Sequence, residues 1–160
     1  MADRSIQSLI CLAAKKTILL LAWVGHWPSL TWIKFVTKRK HYFHPFGGSG
    51  WPTTPPNYLG FRYGGKLQRI HHVEKYEIVY DLSKYVPEVN AKKWRQAHGE
   101  YPKVLYWLGP AIVPSHDVKT GNIFSAGRLW ATLDLLLTGS TVADACAKTR
   151  KRLKRIHDAT

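Results

Sequence analysis

The chain has 160 residues, 45% of them hydrophobic and 21% charged, which is the make-up of one folded domain and excludes a disordered chain. Twenty-four Lys and Arg face ten Asp and Glu, a formal charge of +14. Self-repulsion of that size is most often relieved by a phosphate backbone, with a merely charge-solubilised protein and an anionic membrane surface as the rival readings.

Residues 3–15 place Ile6, Leu9, Ile10, Ala13 and Ala14 on a helical stripe. Thr17 to Val24, TILLLAWV, is a continuous apolar run of strand length and predicts a strand buried on both faces. Lys15 and Lys16 divide the apolar stretch 9–24 into two runs, each shorter than the roughly 18–20 residues of a membrane helix. They also put charge where a signal peptide keeps its apolar centre, so a cytoplasmic protein without a membrane partner is expected. Pro28 and Ser29 open a second helix, SLTWIKFVTKR, with Leu30, Ile33 and Phe35 or Val36 inward. Lys38, Arg39, Lys40 and His41 close it with the positive charge a helix C-terminus favours.

Residues 44–57, HPFGGSGWPTTPPN, are rich in Gly and Pro around Trp51 and read as an irregular functional loop. Tyr58 to Tyr63 then alternates, Gly64-Gly65 supplies a two-residue turn, and Lys66 to Val73 resumes as a strand that continues towards Tyr80, a β-hairpin. Residues 83–102 look irregular, with Pro87 and Pro102 as breakers. Lys103 to Leu108 forms a strand ended by Gly109-Pro110, and Ala111-Ile112-Val113 a short edge strand ended by Pro114. Arg128 to Leu137 is apolar at helical spacing and stops at Gly139. A last helix opens at Ser140-Thr141, with Asp144 in the capping-box position, and ends in Lys148, Arg150, Lys151, Arg152, Lys154 and Arg155. The order predicts an α+β fold in a single domain over 1–160, with a small mixed or antiparallel sheet at 17–113 and C-terminal helices at 127–158.

Enzymatic chemistry finds little footing. The closest carboxylates, Glu74, Glu77 and Asp81, do not share one face of a strand, where faces alternate with period two, so no metal site is expected. The cysteines, Cys11 and Cys146, form no CxxC pair to start a zinc site. They read as buried free thiols of a reducing compartment, with a lone disulfide left open. No phosphate-binding loop or nucleophile elbow occurs, and no cofactor is expected. Two imidazoles, His71 or His72 with His44, constitute a metal-independent ribonuclease alternative. Adjacent His71 and His72 point to opposite faces of a strand, which counts against it.

Six cations within the eight residues 148–155 exceed what a helix end needs, and point to backbone contact with nucleic acid. Arg62, Lys66 and Arg69 around the hairpin add a second phosphate-binding patch. Seven Trp, eight Tyr and five Phe are more rings than a core of this size easily buries. Trp23, Phe61, Trp107 and Trp130 sit inside regular elements and read as core. Trp51 and Trp94 lie in irregular polar stretches, and with Tyr58 and Trp32 they are the candidates for stacking on an extruded base.

The stretch Thr17–Tyr80 resembles PUA-like domains of the EVE and ASCH kind, through the early strand TILLLAWV, a helix, an irregular loop, and the strand pair PNYLGFRY and KLQRIHHVEKYEIV. That resemblance implies an open, twisted β-barrel with flanking helices that binds RNA or DNA, often holding a modified base in an aromatic pocket. It covers less than half of the chain and leaves one N-terminal and two C-terminal helices unaligned. The expected function is a non-enzymatic nucleic-acid-binding module that reads a modified or flipped base. A basic adaptor subunit of a larger protein or ribonucleoprotein complex is the remaining alternative.

Overall fold

A computed structural model describes residues 17–22, 36–47, 50–86, 102–123 and 128–159. In chain order the elements are β1 (Thr17–Ala22), β2 (His41–Pro45), β3 (Tyr58–Tyr63), β4 (Lys66–Val79), a 3-10 turn (Leu82–Lys84), β5 (Lys103–Ile112), β6 (Leu129–Thr132), α1 (Leu133–Thr138) and α2 (Val142–Asp158). The class is α+β, and the expected first helix at 3–15 lies outside the described residues. Two compact units emerge, one from Met1–Ser29, Pro56–His72 and Pro110–Thr160, the other from Leu30–Pro55 and Val73–Gly109.

In the first unit the strand order is β4-β3-β1-β6. The β3–β4 hairpin forms where the sequence places it. Gly64 and Gly65 both take positive φ, 61° and 75°, which matches the twist of two antiparallel strands and strains any residue with a Cβ. Arg62 pairs with Leu67 while Phe61 pairs with Arg69, so Gln68 is the bulged residue. Its side-chain amide donates instead to the Tyr63 carbonyl at 2.7 Å. β1 lies parallel to β3 and antiparallel to β6, with Thr17 opposite Thr132.

That last pairing corrects the helix expected from Arg128. Leu129–Thr132 is a strand, and α1 begins only at Leu133. Apolar spacing suits either state over so short a run; pairing with the open side of β1 satisfies backbone donors and acceptors that would otherwise be left at a sheet edge. Trp130, expected in the core, is instead exposed at 38%, while its neighbour Ala131 is fully buried.

α2 starts as the sequence indicates. Thr141 Oγ1 accepts from the Asp144 N–H at 3.1 Å. The N–H groups of Val142 and Ala143 donate to the carbonyls of Lys119 and Thr120 at 2.8 and 3.2 Å, so the first-turn donors that a helix leaves open are all taken. The same segment holds the hairpin, since Leu67 N–H donates to Val118 O and Thr120 N–H to Gly65 O. Val142, Ala145, Cys146 and Thr149 are buried and recur at the i, i+3, i+4, i+7 spacing of one helix face. Val142, Ala145 and Cys146 join Leu67, Ile70, Val118, Ala131 and Leu136 in the core of this unit, each fully buried aliphatic side chain contributing about 1.5–3 kcal/mol. Cys146 is a free, buried thiol. Cys11 lies outside the described residues.

In the second unit the order is β2-β5-β4. β2 is a further correction: His41 to Pro45 is neither a helix end nor a loop but a strand, antiparallel to β5 from His41 opposite Trp107 to Pro45 opposite Lys103. The helical turn at 36–39 ends through Lys40, whose φ of 54° reverses the chain while its N–H still donates to Val36 O at 3.0 Å. Tyr and Phe favour strands, and Pro45 stands at the strand's last position, where a missing donor costs least. β5 is one strand rather than two and runs unbroken through Gly109 and Pro110. Pro110 is exposed, as a strand proline is when its nitrogen is not needed by a neighbour. Phe43, Val79, Leu82, Val86 and Leu105 pack together as this unit's core, with Trp107 half-buried against them.

Candidate nucleic-acid interface

Only the first half of α2 is packed. From Arg150 onwards its side chains are exposed, apart from a half-buried Ile156. Lys148, Lys151, Arg152 and Arg155 line a surface cleft of about 400 Å³, with Leu135 of α1 and Ile156 as its apolar part. Their i, i+3, i+4, i+7 spacing puts the four cations along one side of the helix. Arg150 and Lys154, also exposed, are not part of that lining. The basic cluster is thus divided between a cleft side and an outer side.

The cleft cations are not equivalent. Lys148 Nζ meets Asp144 at 2.7 Å. Arg152 Nη1 lies 2.8 and 3.1 Å from the two oxygens of Asp134 and 3.3 Å from the Thr132 hydroxyl. Although its partial burial works the other way, the Asp134 carboxyl is held below its ordinary pKa by hydrogen bonds from Thr132 and Arg152 and by the Arg152 charge. Among the described residues, Lys151 and Arg155 carry no acidic partner.

One of the three hairpin cations is placed otherwise than expected. Arg62 is only 3% exposed. Burial pushes its guanidinium below the usual pKa, with a weaker opposing pull from Cys146. The Cys146 thiol is in turn raised by burial, against the charges of Arg62 and Arg150. A phosphate cannot reach a side chain so enclosed, so Arg62 is a packing residue here. Lys66 pairs with Asp117 at 2.7 Å, and this contact holds the Asp117 carboxyl below its usual range. Arg69 is half-buried.

Of the aromatic candidates, Trp32 and Trp94 lie outside the described residues. Trp51 is half-buried and stacks on His44, centroids 4.1 Å apart with 5° between the planes. Tyr58 is half-buried, meets His72 edge to face at 5.1 Å and packs against the first unit's core. Neither Trp51 nor Tyr58 is sealed in a core, and neither stands free of protein contacts. The sequence reading passed over Tyr76, Ile78 and Tyr80, which project from β4 and the residue after it at 51%, 41% and 85% exposure. Their i, i+2, i+4 spacing within YEIVY was the available signal, because residues two apart share one face of a strand.

The histidines named for acid–base chemistry differ in exposure. His44 and His71 are buried, and His72 is exposed on the other face of β4. Glu77 pairs with Lys75 at 3.4 Å, and Asp81 caps the 3-10 turn by accepting from the Ser83 N–H at 3.1 Å. Among the described residues no three His, Cys, Asp or Glu gather as a metal-ligand set, and no helix is long and apolar enough to cross a membrane. No protein-family model, curated protein or solved structure matches the chain.

Proposed function

We propose that the protein binds nucleic acid without catalysing a reaction on it, by holding phosphates along the cleft side of α2. The observation that carries this is the alignment of Lys148, Lys151, Arg152 and Arg155 along one half-packed helix. The helix buries only its first two turns, and the exposed Lys151 and Arg155 beyond them meet no acidic partner among the described residues, while a helix end gains little from cations placed before its last turn. Such contacts are sequence-independent and salt-dependent. The overall charge of +14 acts in the same direction at longer range. The α+β class with a hairpin next to an early strand is compatible with a PUA-like open barrel, and reading of a flipped base by Trp51 belongs to the same proposal.

The test is fluorescence anisotropy of a short labelled DNA duplex and a single-stranded RNA across a salt series. Lys151→Ala with Arg155→Ala is expected to flatten the slope of log affinity against log salt by about 1.8 for duplex, at about 0.9 per lost phosphate contact. An unaltered slope in a folded double variant removes α2 from the interface and the proposal with it.

A second reading, an adaptor subunit, is favoured by the exposed stripe of Tyr76, Ile78 and Tyr80, because apolar and aromatic side chains of this kind are enriched at protein interfaces. Retention of a bound partner protein in the presence of excess oligonucleotide would favour this reading over the first.

A further inference from the structure

We infer that Asp134 and Asp144 occupy, on Arg152 and Lys148, the places that phosphates take when the cleft is filled, so that two of its four cations bind only by exchange. This rests on the proposed reading of the cleft. Arg152 already holds an anion: Nη1 sits between both Asp134 oxygens at 2.8 and 3.1 Å, a charge-assisted contact of the kind a guanidinium makes with phosphate. Asp134 sits in the first turn of the short α1, whereas Arg152 is a long side chain on the exposed half of α2, so the arginine is the partner able to leave. The Lys148–Asp144 pair is made within one helix at i, i+4. Both pairs are 43% to 60% exposed, and exposed pairs are weak enough to be opened by a competing anion, each lowering affinity by no more than about fivefold.

Ion release distinguishes the two kinds of cation. A phosphate that meets Lys151 or Arg155 sheds its condensed counterion, at about 0.9 per contact on a duplex. A phosphate that displaces Asp134 or Asp144 leaves a bare carboxylate behind, which gathers a cation from solution. The net release at Lys148 and Arg152 is then close to zero. The cleft should have the salt dependence of a two-contact site although four cations line it.

Asp134→Asn with Asp144→Asn is therefore expected to tighten binding of the short DNA duplex several-fold at low salt and to steepen the salt slope by about 1.8. Asp144→Asn alone should give about half of that. It keeps the helix cap, because Thr141 accepts from the backbone N–H of residue 144, and so guards against a double variant that fails to fold. Glu74→Gln, the same charge change in the other compact unit, controls for net charge and should leave the slope near that of the wild-type protein. The inference is overturned if Asp144→Asn leaves slope and affinity unaltered, or if Glu74→Gln steepens the slope equally. These results would spare the proposed function as long as Lys151→Ala with Arg155→Ala still flattens the slope; if that variant has no effect, both fall.

Discussion

The Trp51 indole lies flat on the His44 imidazole, 4.1 Å between centroids and 5° between planes, and covers a ring whose two nitrogens are both engaged. Nδ1 of His44 lies 2.8 Å from the Pro45 carbonyl and Nε2 lies 2.8 Å from the Tyr106 hydroxyl. A carbonyl can only accept, so Nδ1 donates, and in the neutral ring Nε2 accepts the Tyr106 proton. Burial, reinforced by Tyr76, pushes the Tyr106 hydroxyl well above its ordinary pKa, which keeps that proton in place. The stack closes a polar arrangement inside the second unit, and that shapes what a change at Trp51 must do.

Trp51→Ala should therefore cost stability as well as any base stacking, about 2 kcal/mol for a half-buried indole. Trp51→Phe, which keeps a ring over His44, should recover more than half. Urea midpoints at constant slope measure this. If Trp51→Ala unfolds at the wild-type midpoint, the indole is a free recognition ring and the stack contributes nothing to folding.

Thr149 carries a second buried contact. Its hydroxyl donates to the Ala145 carbonyl at 2.8 Å and accepts from the Thr132 N–H at 2.9 Å, joining α2 to the end of β6. Thr149→Val keeps the shape but strands that N–H, at a cost of about 1–3 kcal/mol. Thr149→Ser should cost less, because the hydroxyl remains. Equal melting temperatures for the Val variant and wild type would rule out the bond as a source of stability.

The sequence made some elements legible and concealed others for physical reasons. Gly64-Gly65 between alternating strands and Thr141 before Asp144 are local signals, complete within a few residues, and the hairpin and the start of α2 are found where they indicate. β2 and β6 depend on partners far along the chain: His41 to Pro45 is a strand because β5 pairs with it, and Leu129 to Thr132 because β1 does. Local charge suggests a helix end leading into a loop at the first place and apolar spacing a helix at the second, and tertiary pairing overrides both. At the candidate site the cation cluster was plain in sequence. Its division into a cleft side and an outer side was not, because that depends on where α1 places Leu135 and Asp134. The burial of Arg62 was equally hidden, since a strand's two faces differ only once the packing partner is known.

Gly121 and Gly65 share a φ of 75° but differ in surroundings. A Cβ at Gly65 meets nothing within 4 Å, whereas one at Gly121 falls 2.9 Å from the Ala143 Cβ and 3.2 Å from the Thr141 Cβ. Gly65→Ala should cost only the left-handed backbone penalty, roughly 1–2 kcal/mol. Gly121→Ala adds a clash against the first turn of α2, bringing the loss to about 3 kcal/mol. Thermal unfolding of the pair side by side is the measurement, and a Gly121 variant as stable as the Gly65 variant would mean the α2 start yields without cost.

His41 gives a pH dependence with a definite sign. Burial is the larger cause and the Arg39 charge the smaller, and both hold its imidazole pKa below the ordinary value of 6.5. Between the folded pKa and 6.5 the unfolded chain therefore binds more protons than the native one, so stability rises with pH through that window and falls as the pH drops below 6.5. His41→Gln removes this contribution, and the difference in stability between wild type and variant should change between pH 7.5 and pH 5 in favour of the variant at the acid end. Arg39→Ala should move the His41 titration, followed by NMR, upwards but not all the way to 6.5, because the Trp107 ring 5.5 Å away and the rest of the burial remain. A complete return to 6.5 in Arg39→Ala would show that charge repulsion, not desolvation, governs this histidine.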